Sequence, residues 1–343
     1  MKNIALCFDH VRDRTGSAGS GNTAAIATLL GAADDQIVWT ATPPANPTAH
    51  RFAVRRHHRP EFATARTAVA GAYEFLVDCW EPGDRLYLFG AGRGGVAALA
   101  LARLLGTVGV LRGTDLTGWT AAEFREYVLN TYAMPRTRRD AADWRRIGRL
   151  AADLAGRRDV AVEVAYLGLW DTVAVPGASA GWCGNVAAVR HAVAIDGGIG
   201  PFAVQRLEPA PTVEEVWFHG AHCDVVGAHN ACAPLAGIAL DWVLDGAVKA
   251  GATLGVPASQ RIPAADVADA LSGSAHPLPL RRLPADAAVH ASVESYLRIH
   301  PSYWRRLPAH VRWADLEWAA RAERLLAAPP APVVAPVLAG APS

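Results

Sequence analysis

The stretch Asp84-Arg-Leu-Tyr-Leu-Phe-Gly-Ala-Gly-Arg-Gly-Gly-Val-Ala-Ala-Leu-Ala-Leu-Ala-Arg-Leu-Leu105 decides how the rest of the chain is read. It predicts a buried strand over 85–90, a glycine-tight turn and an Ala/Leu-rich helix over 94–106. A strand-turn-helix of this kind lifts a nucleophilic serine out of a G-x-S-x-G elbow. Here the pentapeptide is Gly90-Ala91-Gly92-Arg93-Gly94, so the serine position is occupied by Gly92.

Around this unit the same alternation repeats. Apolar, β-branched and aromatic runs at 3–8, 36–41, 160–170 and 214–220 predict further strands, and their continuous hydrophobicity predicts a mostly parallel sheet covered on both faces. Helical patterns occupy about 22–31, 61–80, 120–130, 140–155 and 235–250. The expectation is an α/β-hydrolase-like, doubly wound α/β domain over residues 1–326. A helical insertion at about 112–158 stands where a cap or lid would lie, although a plain surface insertion produces the same pattern. The Pro/Ala-biased stretch 327–343 is expected to be disordered, because its prolines cannot join a regular ladder.

Composition excludes several classes. Hydrophobic residues make up 51% and charged residues 19% of the 343, as in a globular protein with a sizeable core. Thirty-three Lys and Arg nearly balance 32 Asp and Glu, leaving no electrostatic footprint for nucleic acid. Five scattered cysteines contain no Cys-x-x-Cys pair and indicate neither a disulfide framework nor a thiolate zinc site. The apolar run before Asp9 is too short for a signal peptide, and the apolar helix after the elbow carries Arg103, so no transmembrane segment is expected. The cytoplasm is the default location; secretion by a signal-independent route leaves no mark of this kind. No cofactor and no particular protein partner are implied.

In open parallel sheets, sites form beyond the carboxyl ends of the strands. The residues found there are Asp9 and His10, Gly92, Asp171, and the run His219, His222, Asp224 and His229. Elbow, acid and histidine follow one another in the chain order of a hydrolase triad, with Asp171 orienting His222. Asp224 and Asp196 are alternative acids. His219, His222, Asp224 and His229 also permit a metal-assisted reading, although His219 and His222 would point to opposite faces unless Gly220 turned the chain. Cys223 is a conceivable substitute nucleophile, but a buried structural cysteine is the commoner case.

The blocks CFDH (7–10), AYEFLVDCWEPGDRLYLFGAGRGG (72–95), YLGLWDTVAVPG (166–177), VRHAVAID (189–196), EVWFHGAHCDVVGAH (215–229) and VHASVESYL (289–297) resemble, in that order, the catalytic domain of the bacterial type VI secretion phospholipase effectors and their uncharacterised relatives. The resemblance implies an α/β-hydrolase fold and a lipid or ester ligand. It places the family's serine on Gly92, its acid on Asp171 and its histidine on His222. Arg93 matches the arginine after the serine, and its N–H would form part of the oxyanion hole. Asp9 matches the aspartate of a Cys-Asp-Gly-Thr stretch that here reads Cys-Asp-His-Val, and Asn22 matches a Thr-Asn pair that here reads Gly-Asn. The stretch VWTATPPANPTAH (38–50) lacks the expected Asp-Pro-Gly, and His-x-Asp-Val-Gly-Gly has become His222-Cys-Asp224-Val-Val-Gly.

Losing the nucleophile of a triad costs about 10⁶ in kcat, leaving roughly 10³–10⁴ over water. The expected function is therefore that of a degenerate hydrolase, a pseudoenzyme acting as a binding or regulatory module. The alternatives are an active hydrolase that uses another nucleophile or a water activated by His222 and Asp171, and metal-assisted hydrolysis.

Overall fold

The computed structural model describes residues 1–9, 21–31, 35–41, 60–112, 120–134, 139–174, 183–197, 203–228, 230–255, 267–273 and 281–318. His10, His229 and the Pro/Ala-rich stretch lie outside these residues, as do 113–119 and 135–138 of the helical insertion.

Eight strands form one sheet in the order β2-β1-β3-β4-β5-β6-β7-β8, parallel throughout. They are β1 (Asn3–Phe8), β2 (Gln36–Thr40), β3 (Arg85–Ala91), β4 (Tyr166–Trp170), β5 (Val189–Ala194), β6 (Val213–Phe218), β7 (Ala288–His290) and β8 (Arg312–Ala314). The helices are α1 (Asn22–Leu30), α2 (Pro60–Cys79), α3 (Arg93–Val108), α4 (Ala121–Val128), α5 (Ala141–Ala155), α6 (His222–Val226), α7 (Ala233–Lys249), α8 (Val267–Ala270) and α9 (Ala291–Ile299).

Residues of β1, β3 and β4 alternate between two cores. Ile4, Leu6 and Phe8 of β1, Leu86 and Leu88 of β3, and Leu167 and Leu169 of β4 face α2, α3, α4 and α5. Ala5, Cys7, Tyr87, Phe89, Tyr166 and Trp170 face α1, α6 and α7. Because helices cover both faces, inward and outward positions alike are apolar, which explains the unbroken hydrophobic runs.

The described residues of the 112–158 insertion are built into the first core. Thr120 caps α4 in a reciprocal box with Glu123, a one-turn π-helix follows at Leu129–Ala133, and Asp140 caps α5. Phe124, Tyr132, Trp144 and Ile147 are buried in the cluster that holds Leu101 and Leu105 of α3. These side chains are part of the helical layer rather than a cover over the strand ends.

The strand predicted over 160–170 begins only at Tyr166; Val164 makes one isolated bridge to Val186. The chain there closes against the end of α3, with the Val162 N–H donating to Leu105 O at 3.0 Å. Register sets the site. Pairing of Phe8 with Gly90, Ala91 with Trp170, Trp170 with Ala192 and Ala194 with Phe218 aligns the carboxyl ends of β1, β3, β4, β5 and β6. The strand order reverses on either side of β1, and the elbow follows its neighbour β3.

Candidate active site

The elbow is built from close backbone contacts. A Cβ on Gly94 would sit 2.1 Å from the Phe8 carbonyl oxygen, so only glycine lets the first turn of α3 rest on the end of β1. Gly92 is the residue between β3 and α3, with φ +54° and ψ −116°, a backbone shape that L side chains rarely adopt. Its N–H donates to Trp170 O at 2.8 Å and its carbonyl accepts from Val173 N–H at 3.1 Å. Gly92 is thus tied on both sides of the turn that carries Asp171.

Asp171 is completely buried at the end of β4 and itself has a positive φ, +39°. For a residue with a side chain that conformation costs of order 1–2 kcal/mol. Its N–H donates to Ala192 O at 2.7 Å, the Ala194 N–H donates to its Oδ1 at 3.0 Å, and the N–H of the next residue, Thr172, donates to His191 Nε2 at 3.1 Å. Since Nε2 of His191 accepts, its proton lies on Nδ1 and is donated to Glu215 Oε2, at 3.1 Å. Glu215 also pairs with Arg206.

The Asp171 carboxylate receives His222 Nδ1–H on Oδ2 at 2.6 Å. Arg281 grips the same carboxylate with two nitrogens, one on Oδ1 and one on Oδ2, the latter at 3.0 Å. Burial pushes the Asp171 carboxyl up, but the Arg281 guanidinium and the His222 ring outweigh it and hold Asp171 well below the usual carboxylate range. His222 opens the short helix α6 after the Gly220 turn.

The remaining predicted residues have other partners. Asp224 accepts from Ala221 N–H and Cys232 N–H, both at 2.8 Å, and so fastens the start of α6 to the segment before α7. Asp196, at the end of β5, accepts from Tyr303 Oη at 3.0 Å and from Arg306. His219 is buried, stacked on Tyr296 with ring centroids 3.8 Å apart, and its Nε2 lies 3.9 Å from Asp196. Neither alternative acid is the carboxylate bonded to the His222 ring. Asp9 accepts from Thr23 Oγ1 at 2.8 Å. Arg93 is the first residue of α3, so its N–H belongs to the helix N-terminus at the elbow. Asn22 donates to Val225 O at 2.9 Å and Ala236 O at 3.1 Å, joining α1 to α6 and α7.

The His-rich run is therefore divided, His222 going to Asp171 and His219 to the Tyr296 and Tyr303 rings. Among the described residues, no group of three or more His, Cys, Asp or Glu side chains is arranged to hold a metal ion. Burial and the neighbouring Asp224 push the Cys223 thiol up to about 11, so it is not the thiolate a nucleophile requires at neutral pH.

Residues 2–246, from before β1 almost to the end of α7, match the model of the family described as T6SS, phospholipase effector Tle1-like, catalytic domain. The chain belongs to that family. An uncharacterized Saccharomyces cerevisiae protein, YEL023C, is 27% identical over 258 residues, 68% of this chain and 36% of the yeast protein. Among solved structures, an uncharacterized protein from Pseudomonas aeruginosa aligns with a TM-score of 0.42 and 17% identity, over 76% of this chain and 48% of that one. The Tle1 effector bound to the VgrG spike of the type 6 secretion system aligns with a TM-score of 0.40 and 14% identity, over 66% of this chain and 51% of the effector. The chain thus spans about a third to a half of the length of these relatives. Among its described residues, no helix is long and apolar enough to cross a membrane.

Within this Tle1-like domain, sequence reasoning missed Arg281 and the His191–Glu215 pair. His191 sits inside VRHAVAID, a stretch notable only for the family resemblance. Arg281 has no such context: it acts from 110 residues away.

Proposed function

We propose that this Tle1-like domain is a degenerate lipid or ester hydrolase, one that binds a lipid or ester at the carboxyl end of its sheet, beside Gly92 and His222, without serine chemistry. The observation that carries this reading is Gly92: the tight elbow, its close-packed Gly94 and the Asp171–His222 bond are all present, and the one position that should supply a hydroxyl supplies none. In a triad, Asp171 would fix the His222 tautomer and Nε2 would take the serine proton. With Gly92 there is no alcohol to deprotonate. The protonated Cys223 thiol, bonded toward Asp224 Oδ1 at 3.7 Å, is a poor substitute. The Tle1 effector is bound to a VgrG spike; docking to a spike protein comes to this chain only as part of the same proposal.

The test is Gly92→Ser. Expected is a rise of at least about tenfold in hydrolysis of a short-chain activated ester over the parent, abolished by adding His222→Ala. The rise stays below full recovery, because misplacement by about 1 Å costs roughly 10²-fold. The parent should bind short-chain phosphatidylcholine and leave it intact. Hydrolysis by the parent equal to that of Gly92→Ser would overturn the reading and favour a water activated by His222.

A further inference from the structure

A hydrolase acid works by stabilising the imidazolium that forms when histidine takes a proton. Its charge must be available to the ring. Asp171 is fully buried, which would make it a powerful stabiliser, yet Arg281 occupies both of its oxygens. One of these, Oδ2, is the oxygen that also accepts from His222 at 2.6 Å. The guanidinium and the imidazole therefore share a single carboxylate oxygen as their acceptor. A second positive charge on the ring would face the first.

Arg281 is seated there by more than this contact. Its side chain is 4% exposed, and it also donates to Ala194 O at 3.1 Å. Gly197 makes the slot: a Cβ at that position would lie 2.1 Å from Arg281 Cζ. Ala194 meets the pair twice, its N–H on Asp171 Oδ1 and its carbonyl on Arg281, so the guanidinium and the carboxylate are held on one piece of backbone.

We propose that Arg281 is a positioning residue that neutralises Asp171 and so withholds from His222 the charge that would stabilise its imidazolium, making the ring a weaker base. The inference rests on reading Asp171 and His222 as the remains of a hydrolytic pair, and it adds to Gly92 a second feature that disfavours base chemistry. Among the described residues at this edge, Asp224 bonds two backbone amides, Cys223 bonds Asp224, Asp196 bonds Tyr303 and Arg306, His219 stacks on the tyrosine rings, and Asp9 bonds Thr23. Arg93 lies at the start of α3.

The experiment is an NMR titration of the His222 ring in the parent, Arg281→Gln and Arg281→Lys proteins. Arg281→Gln should keep the ring protonated to a pH at least about one unit higher than in the parent, a tenfold change in the proton equilibrium. Arg281→Lys, which keeps the charge, should stay within a few tenths of the parent. Equal titration in the parent and Arg281→Gln, or equal displacement by Gln and Lys, overturns the proposal. If Arg281→Gln is poorly folded at neutral pH, thermal melts at about pH 5.5 and 8 replace the titration. A ring that titrates higher in the folded than in the unfolded state adds stability below the unfolded value, and that stability is lost as pH rises. Arg281→Gln should then recover relative to the parent at the lower pH; a deficit independent of pH overturns the proposal. None of these readouts needs a lipid or an ester, so failure of the Gly92→Ser rescue leaves the titration result standing, and the reverse also holds.

Discussion

Two neighbouring strands of this sheet run into a buried aspartate, and each aspartate has an arginine and a histidine nearby. At the end of β4, Asp171 is bonded to His222 at 2.6 Å and clasped by Arg281. At the end of β5, Asp196 is bonded to Tyr303 and Arg306, while His219 stays 3.9 Å away among tyrosine rings. The residue types match and the physics diverges. Asp171 is held well below the usual carboxylate range, whereas burial pushes the Asp196 carboxyl up despite Arg306 and Tyr303. What separates candidate chemistry from fastening is which group donates to which oxygen. Asp196 pins the short helical turn 301–306 onto the sheet; Asp171 orients a ring.

The largest expected break comes from Asp171→Ala, which leaves Arg281 buried without its countercharge. Urea unfolding should show a loss of about 3–5 kcal/mol. His222→Phe removes one charge-assisted bond and keeps the guanidinium clasp, so its cost should be about 1.5–3 kcal/mol. A larger loss than Asp171→Ala would mean that the ring, not Arg281, carries the pair. At the other aspartate, Asp196→Asn keeps an acceptor for Tyr303 and should cost only about 1 kcal/mol. The smallest effect is a difference in sign. Since Asp171 is lowered from 3.8, its stabilisation is complete above that pH and drains away as pH falls below it. Since Asp196 is raised from 3.8, its contribution weakens as pH climbs through and above that value. The deficit of Asp171→Ala should therefore shrink below about pH 4, and that of Asp196→Asn should shrink as pH rises from there. Parallel pH profiles for the two variants would erase the distinction.

The sequence carried most of the sheet and lost β5 and the β7–β8 margin; VRHAVA of β5 holds Arg190 and His191, which break its apolar run. β1, β2, β3 and β6 are apolar runs long enough to stand out, and α3 follows the elbow as expected because Gly92 and Gly94 report a turn and a close approach. β7 and β8, with three residues each, are too short for any period to register. Asp171 and His222 could be ranked by chain order and family blocks, since a triad has both. Their actual contact depends on the reach of His222 past the end of β5, which no local pattern encodes. Arg281 was invisible for a stronger reason: Pro-Leu-Arg-Arg-Leu-Pro reads like a surface loop, and only the folded chain takes that guanidinium out of water.

The sheet from β3 to β8 is laid down in the order of synthesis, each strand joining the edge left by the one before. A growing chain can therefore assemble it from the ribosome outward, one strand at a time. The countercharge of Asp171 is out of step with that order. Arg281 follows 110 residues later, after the family match has ended at 246, which at ordinary elongation rates is about 5–20 s. During that interval β4 and β5 can pair, but the carboxylate at their end has only the Ala194 N–H and, once α6 has emerged, the imidazole of His222 to receive. A fragment ending at 246 is this waiting state made permanent, with β6 as an open edge and an anion where the finished protein has a closed pair.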